Sequence, residues 1–147
     1  MAAKPYSLRV DDDTLRRLNE EAAHYRVAPR TLAQEILEEG VRMRRHPGIA
    51  FVERAGGRMP ALSHRPRLRI HDIVRTVRAS SNLKEAADYL DLTLTDLEKA
   101  MRYYAEFRAQ IDAEIQEMDE EAERAEREFW EAKSLARPED ADAAPPR

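Results

Sequence analysis

The 147-residue chain has no cysteine, one tryptophan, three phenylalanines and four glycines. Without cysteine there is no disulfide framework and no thiolate metal site. Aromatic residues make up 6% against 37% charged, so one large core is not expected; several small cores, or a core shared by two chains, fit better. No apolar run approaches the roughly 20 residues that span a bilayer. The opening Met-Ala-Ala-Lys-Pro-Tyr lacks the apolar segment of a secretory signal. The expectation is a soluble, cytoplasmic protein with no membrane association. No glycine-rich phosphate loop, nucleophile elbow or paired-carboxylate site stands out. The four histidines, His24, His46, His64 and His71, never share a helix face with carboxylates at metal-ligand spacing, and read as surface or loop residues. The chain therefore reads as no enzyme, with no catalytic residue, no metal and no cofactor.

Charge is distributed unevenly. Residues 1–47 carry 9 Lys/Arg against 8 Asp/Glu, residues 48–78 carry 7 against 2, and residues 79–147 carry 9 against 19. A chain of net charge -4 still binds nucleic acid if its cations gather on one face, and its acidic third then meets something other than phosphate.

Residues Lys4 to Val10 alternate. Tyr6, Leu8 and Val10 fall on one side of an extended strand, and Ser7 and Arg9 on the other. Asp11, Asp12 and Asp13 follow, suited to a helix N-terminus where carboxylates accept free N–H groups and meet the positive dipole end. Leu15, Leu18, Ala22 and Tyr25 recur at helical spacing to about Val27. Ala28-Pro29 opens a second helix, with proline at the position where its missing donor costs nothing. Leu32, Ala33, Ile36, Leu37, Gly40 and Val41 supply its buried stripe, and Pro47-Gly48 closes the segment.

Strand, helix, turn and helix in this order cannot bury a core alone. The segment resembles the ribbon-helix-helix family on Ser7-Leu8-Arg9-Val10, the acidic helix start, Leu15, Leu18, Ala22, Pro29-Arg30-Thr31-Leu32 and Ile36-Leu37. The resemblance covers about a third of the chain. It implies a dimer whose two strands pair into a ribbon, with Tyr6, Leu8, Val10, Ile36 and Leu37 in the dimer core. A two-stranded ribbon fits the major groove, so Lys4, Ser7 and Arg9 are candidate DNA contacts. Arg30, Thr31 and the free amides of their helix N-terminus are candidate phosphate clamps. Ala28 stands where the family usually has a serine or threonine, which leaves only backbone donors there.

From Ile49 to Leu62 two apolar strands flank Ala55-Gly56-Gly57 and read as a hairpin. Ser63 to Arg67 reads as a basic loop, and Leu68 to Ile70 as a further short strand. Ile70, Ile73, Val74 and Val77 mark a helix ending near Ala79 to Asn82. Arg65, Arg67, Arg69, Arg75 and Arg78, with His64 and His71, form a basic cluster; an extended DNA footprint and a solvated face remain open for it. Ala87, Leu90, Leu92 and Leu97 fall at helix-turn-helix spacing, with Asp91 in the turn. The second helix of that pair exposes Thr95, Asp96, Glu98, Lys99 and Arg102 without net positive charge, so a packing or protein-contact role is preferred to DNA reading. The stretches Pro47 to Phe51, Gly57-Arg58, Ala86 to Leu90, Ala100 to Tyr104 and Ile111-Asp112 resemble the bacterial domain of unknown function 433 family. In place of that family's usual Gly-Thr turn stands Ser63 to Arg67. The resemblance implies an antitoxin-like protein often paired with a nuclease-like toxin.

From Thr95 the pattern predicts an uninterrupted helix to about Leu135. Phe107, Ile111, Ile115, Met118, Ala122, Ala125 and Phe129 form a narrow apolar seam on an otherwise charged helix. It reads as a self-associating coiled coil or as a partner-binding helix. Alanine at 122 and 125 is poor for a homodimer, and the lone Trp130 suits an interface anchor, which favours a partner. Ile111, Ile115, Met118, Arg124, Arg127, Phe129 and Trp130 are the candidate toxin-binding residues. The proline- and acid-rich residues 138–147 read as disordered.

The expected architecture is mostly α with small β elements. It comprises a ribbon-helix-helix dimer module (1–47), a small α+β domain with a β-hairpin and a helix-turn-helix-like three-helix core (48–110), a long amphipathic C-terminal helix (111–137) and a tail. The resemblances imply a VapB-like antitoxin of a type II toxin-antitoxin pair. Such a protein represses its own operon by binding operator DNA as a homodimer or higher homo-oligomer, and neutralises a ribonuclease-like toxin. The alternative is a stand-alone dimeric ribbon-helix-helix repressor. A structural adaptor whose ribbon only dimerises it is a third reading.

Overall fold

The computed structural model describes residues 3–136. These residues are mostly helical, with one small antiparallel sheet, and the chain divides into two compact units between Pro47 and Gly48. The tail 138–147 lies outside the described residues.

The first unit is a pair of helices, α1 (Asp12–Tyr25) and α2 (Pro29–Arg45). The Asp11 carboxylate caps α1, accepting the Thr14 amide at 2.8 Å and the Thr14 hydroxyl at 2.8 Å. Those bonds hold Asp11 below the ordinary carboxyl pKa, the Thr14 amide first among them. The helix ends at Arg26, a non-glycine residue at φ 56° in the left-handed region. There the Val27 amide turns back to the Ala22 carbonyl at 3.0 Å, a helix-ending turn that satisfies an orphan acceptor. No side chain caps α2, whose N-cap is Ala28, and Pro29 occupies its first turn.

Residues 3–10 carry no regular secondary structure. The expected strand is not present, and the first unit contains no other strand for it to pair with. Of the buried stripe expected for α2, Leu32 is buried and Ala33 and Gly40 are half-buried, while Ile36, Leu37 and Val41 are exposed. The physical reason is size: two short helices have too little surface to cover each other's apolar faces.

The second unit begins with a three-stranded sheet in the order β1 (Ile49–Arg54), β2 (Gly57–Leu62), β3 (Arg65–Arg69). The β1–β2 hairpin pairs Ile49 with Leu62 through Arg54 with Gly57, and Gly57 takes φ +109°, a value that disfavours any other residue. β3 starts at Arg65, inside the segment expected as a loop, and ends before Ile70, which begins α3 (Ile70–Ala79). α4 (Leu83–Leu90) and α5 (Leu94–Glu106) follow. Asn82 caps α4 through the Glu85 amide at 2.9 Å, and Thr93 caps α5 through the Asp96 amide at 3.1 Å. Between them Asp91 adopts φ 53°, doing in the left-handed region what glycine does more cheaply.

The long helix expected from Thr95 is two helices. α5 ends at Glu106, and α6 runs Arg108–Ala136. At the joint Phe107 leaves helical geometry (φ -113°, ψ 34°) and stacks its ring 4.7 Å from that of Tyr103. The break lets α6 pack on α3. The core collects Ile49 and Leu62 from the sheet, Ile70, Ile73 and Val74 from α3, Ala86 and Ala87 from α4, Leu97, Ala100 and Tyr103 from α5, and Ile111 and Ile115 from α6. No boundary therefore falls at residue 110. Ile111 (0% exposed) and Ile115 (6%) are core residues, so the partner-binding role expected of them is corrected: they face inward because α6 begins inside this unit.

Candidate nucleic-acid and partner interfaces

The first unit buries Ala22 and Leu32 and leaves Tyr6, Leu8, Val10, Leu15, Val27, Ile36, Leu37, Val41 and Met43 exposed, Tyr6 at 79% and Leu8 at 61%. Monomeric proteins seldom leave so much apolar surface open in so short a segment. All five residues expected in the dimer core are in this exposed set. Lys4, Ser7 and Arg9 are exposed in the segment before α1, and Arg30 and Thr31 in the first turn of α2. That turn has no side-chain cap, so no capping side chain occupies its amides or its positive dipole end, an arrangement that suits an anion.

The basic cluster of the second unit is mostly engaged within the unit. Arg65 donates to the carbonyl of Asp91 and lies 3.5 Å from its carboxylate. Arg69 holds Asp72 at 2.9 Å, Arg75 holds Asp119 at 2.9 Å, and Arg78 holds Asp112. His64 stands 3.6 Å from Asp96. Four of the five arginines thus face carboxylates, three of them tying together segments far apart in sequence, and Arg67 is exposed. Their charge is largely neutralised locally, which weakens the case for phosphate contact.

His71 and His46 depart from the surface reading: they are 0% and 6% exposed. His71 lies between Asp72 and Glu114, 3.4 Å from each. Among the described residues no group of three or more His, Asp and Glu gathers closely enough to hold a metal ion. An open groove of about 490 Å³ runs between α3 and α4, lined by Asp72, Arg75, Thr76, Ser80, Glu85 and Tyr89. Several of its polar groups already bond locally: Thr76 to the Asp72 carbonyl, Ser80 to the Thr76 carbonyl, and Glu85 to the Ser81 amide.

Beyond Asp119, α6 is exposed to its end. Residues 119–136 hold 7 acids and 3 bases. Phe129 and Trp130 are 60% and 54% exposed, their rings edge-to-face at 5.6 Å, with Lys133 over the indole at 4.5 Å. Met118 is half-buried, and Arg124 and Arg127 are exposed. No helix among the described residues is long and apolar enough to cross a membrane.

Compared with family models, curated protein sequences and solved structures, the chain finds no match.

Proposed function

We propose that the chain is a dimeric DNA-binding repressor of the antitoxin type, its first unit a ribbon-helix-helix module. The observation that carries this reading is the exposed apolar set of residues 3–47, Tyr6, Leu8 and Val10 above all. In a dimer the two N-terminal segments pair as antiparallel strands. Tyr6, Leu8 and Val10 then turn onto Ile36 and Leu37 of both chains, and the alternation places Ser7 and Arg9 on the opposite face. That face enters the major groove, where an arginine bonds two acceptors of a guanine at once. Lys4 and the start of α2, with Arg30 and Thr31, sit against the flanking phosphates.

The second unit is the body from which α6 projects. The acidic, exposed half of α6 captures a basic, nuclease-like protein, with Phe129 and Trp130 filling apolar pockets. Met118, Arg124 and Arg127 extend that contact. Capture close to the operator couples repression to the amount of partner.

The test is to measure mass by sedimentation and operator binding by fluorescence anisotropy across a salt series. A dimer whose affinity falls steeply with salt is expected. A monomer, or binding indifferent to salt, overturns the reading. If the dimer binds DNA and no product of a neighbouring reading frame co-purifies with it, the protein is a repressor without a toxin.

A further inference from the structure

We propose that His71 is a protonation-controlled rivet between α3 and α6, independent of any DNA or partner binding. The ring is fully buried at the start of α3. Its Nδ1 lies 3.4 Å from Glu114 Oε2 of α6, and its Nε2 lies 3.4 Å from Asp72 Oδ1. A neutral imidazole has one N–H and one lone pair. Between two carboxylates, either tautomer leaves its lone pair within 3.4 Å of an anion. Only the imidazolium presents a donor to each side. Nε2 is also the one buried side-chain nitrogen or oxygen without a hydrogen-bond partner among the described residues, being close enough to Asp72 for ion pairing but off the line of an ordinary bond. The neutral ring would gain little there.

The other groups around the ring hold the two carboxylates in place. Gln110 donates to Glu114 Oε1 at 3.0 Å, and Arg69 to Asp72 at 2.9 Å. Burial disfavours a charge on the ring most, and the Arg69 guanidinium adds to that, but Asp72 and Glu114 outweigh both, and the ring's pKa stands above its ordinary 6.5. For Asp72, burial acts upward and is outweighed by His71 and Arg69, bringing its pKa to about 2.

The signs set a window. A raised histidine pKa stabilises below 6.5 and loses that contribution as pH rises through the folded value. A depressed Asp72 stabilises above its ordinary 3.8 and loses that contribution as pH falls toward 2. Between those limits the His71 ring is charged beside Asp72 and, 3.4 Å from Glu114, fastens the root of α6 to α3. On the alkaline side the rivet discharges and leaves two carboxylates facing a neutral ring.

The experiment uses the full chain. The His71 ring is followed by NMR against pH, and hydrogen exchange of the α6 root around Ile111 and Ile115 is measured on both sides of its titration, corrected for intrinsic rate. The ring should titrate above 6.5 in the wild type and lower in Glu114→Gln. Protection of the α6 root should fall severalfold as the ring discharges, and this dependence should vanish in His71→Gln. A ring that titrates at or below 6.5, or that is unmoved by Glu114→Gln, overturns the proposal; so does a His71→Gln protein with unchanged pH dependence. Should His71→Gln fail to fold, the wild-type and Glu114→Gln titrations decide alone.

Discussion

The Tyr104 hydroxyl donates to Asp112 Oδ1 across 2.9 Å, and Arg78 donates to both of them. The guanidiniums of Arg78 and Arg108 also lie 5.7 Å from the centre of the Tyr104 ring. One phenol thus joins the end of α3 to the start of α6. Tyr104 is 8% exposed, so Tyr104→Phe should cost about 1 kcal/mol, the typical worth of one such bond. Asp112 is held below the ordinary carboxyl pKa of 3.8, by the Tyr104 hydroxyl first and then by Arg78. A depressed carboxylate stabilises above 3.8 and loses that contribution as pH falls through its folded value. Urea unfolding at descending pH should therefore show a shallower acid loss in Tyr104→Phe than in the wild type. Equal slopes would remove the phenol from the joint.

The core assignment of Ile111 separates stability from partner binding on one helix. Ile111→Ala should cost about 2–5 kcal/mol, as truncation of a fully buried aliphatic side chain does. Trp130→Ala, at an exposed position, should stay within about 0.5 kcal/mol of the wild type. Thermal melts of the two variants check this directly; a neutral Ile111→Ala would contradict the packing of α6 on α3.

Local chemistry made much of the fold readable in advance. The helix start at Asp11 to Asp13, Pro29 at the start of α2, the Gly-Gly hairpin and the helix from Ile70 to about Ala79 are written in adjacent residues, and the structure has them. What escaped reading depends on distant partners. The seam from Phe107 to Phe129 is continuous in the sequence, yet its first members turn into a core built from residues as early as Ile49, while its last remain exposed. Arg65, Arg75 and Arg78 looked like a cationic patch because Asp91, Asp119 and Asp112, which face them, lie 26 to 44 positions downstream. His71 looked ordinary for the same reason: its second carboxylate, Glu114, is 43 residues away. The alternation from Tyr6 to Val10 is clear in the sequence, but the first unit holds no second strand to pair with it.

That alternation gives the sharpest test of the dimer. Leu8→Asp would place a carboxylate in the proposed ribbon core, where an unpaired charge costs several kcal/mol. Sedimentation of the full chain should show a wild-type dimer and a monomeric variant, with loss of helical circular dichroism on the scale of α1 and α2. A Leu8→Asp dimer would mean that Tyr6, Leu8 and Val10 do not form the interface.

Arg9 should set sequence choice. Arg9→Ala is expected to cost about 1–3 kcal/mol of specific binding and to relax preference at one base position per half-site. Arg30→Ala should weaken all sequences alike and make the salt dependence shallower, because a phosphate contact carries no sequence information. Anisotropy titrations on matched and mismatched operators separate the two; wild-type specificity in Arg9→Ala would take the ribbon out of DNA reading.

The exposed half of α6 is where the antitoxin reading stands or fails, and the core fixes where the chain can be cut to test it. Removal of everything after Gln110 would take Ile111 and Ile115 out of the core and Asp112, Glu114 and Asp119 away from Arg78, His71 and Arg75. Such a chain would fail by unfolding and say nothing of binding. A cut after Glu120 keeps those contacts and removes Arg124, Arg127, Phe129 and Trp130. It also removes most of the acid charge that would speed encounter with a basic partner. The shortened chain should melt close to the wild type, dimerise and bind operator DNA. An interface anchored by a buried tryptophan loses about 2 kcal/mol or more on truncation, roughly 30-fold in affinity. Co-expression with the neighbouring reading frame should therefore show growth rescued by the full chain and by Lys133→Ala, but not by the chain cut after Glu120, with Trp130→Ala in between. Full rescue by the shortened chain would mean that capture, if it occurs, lies elsewhere on the second unit.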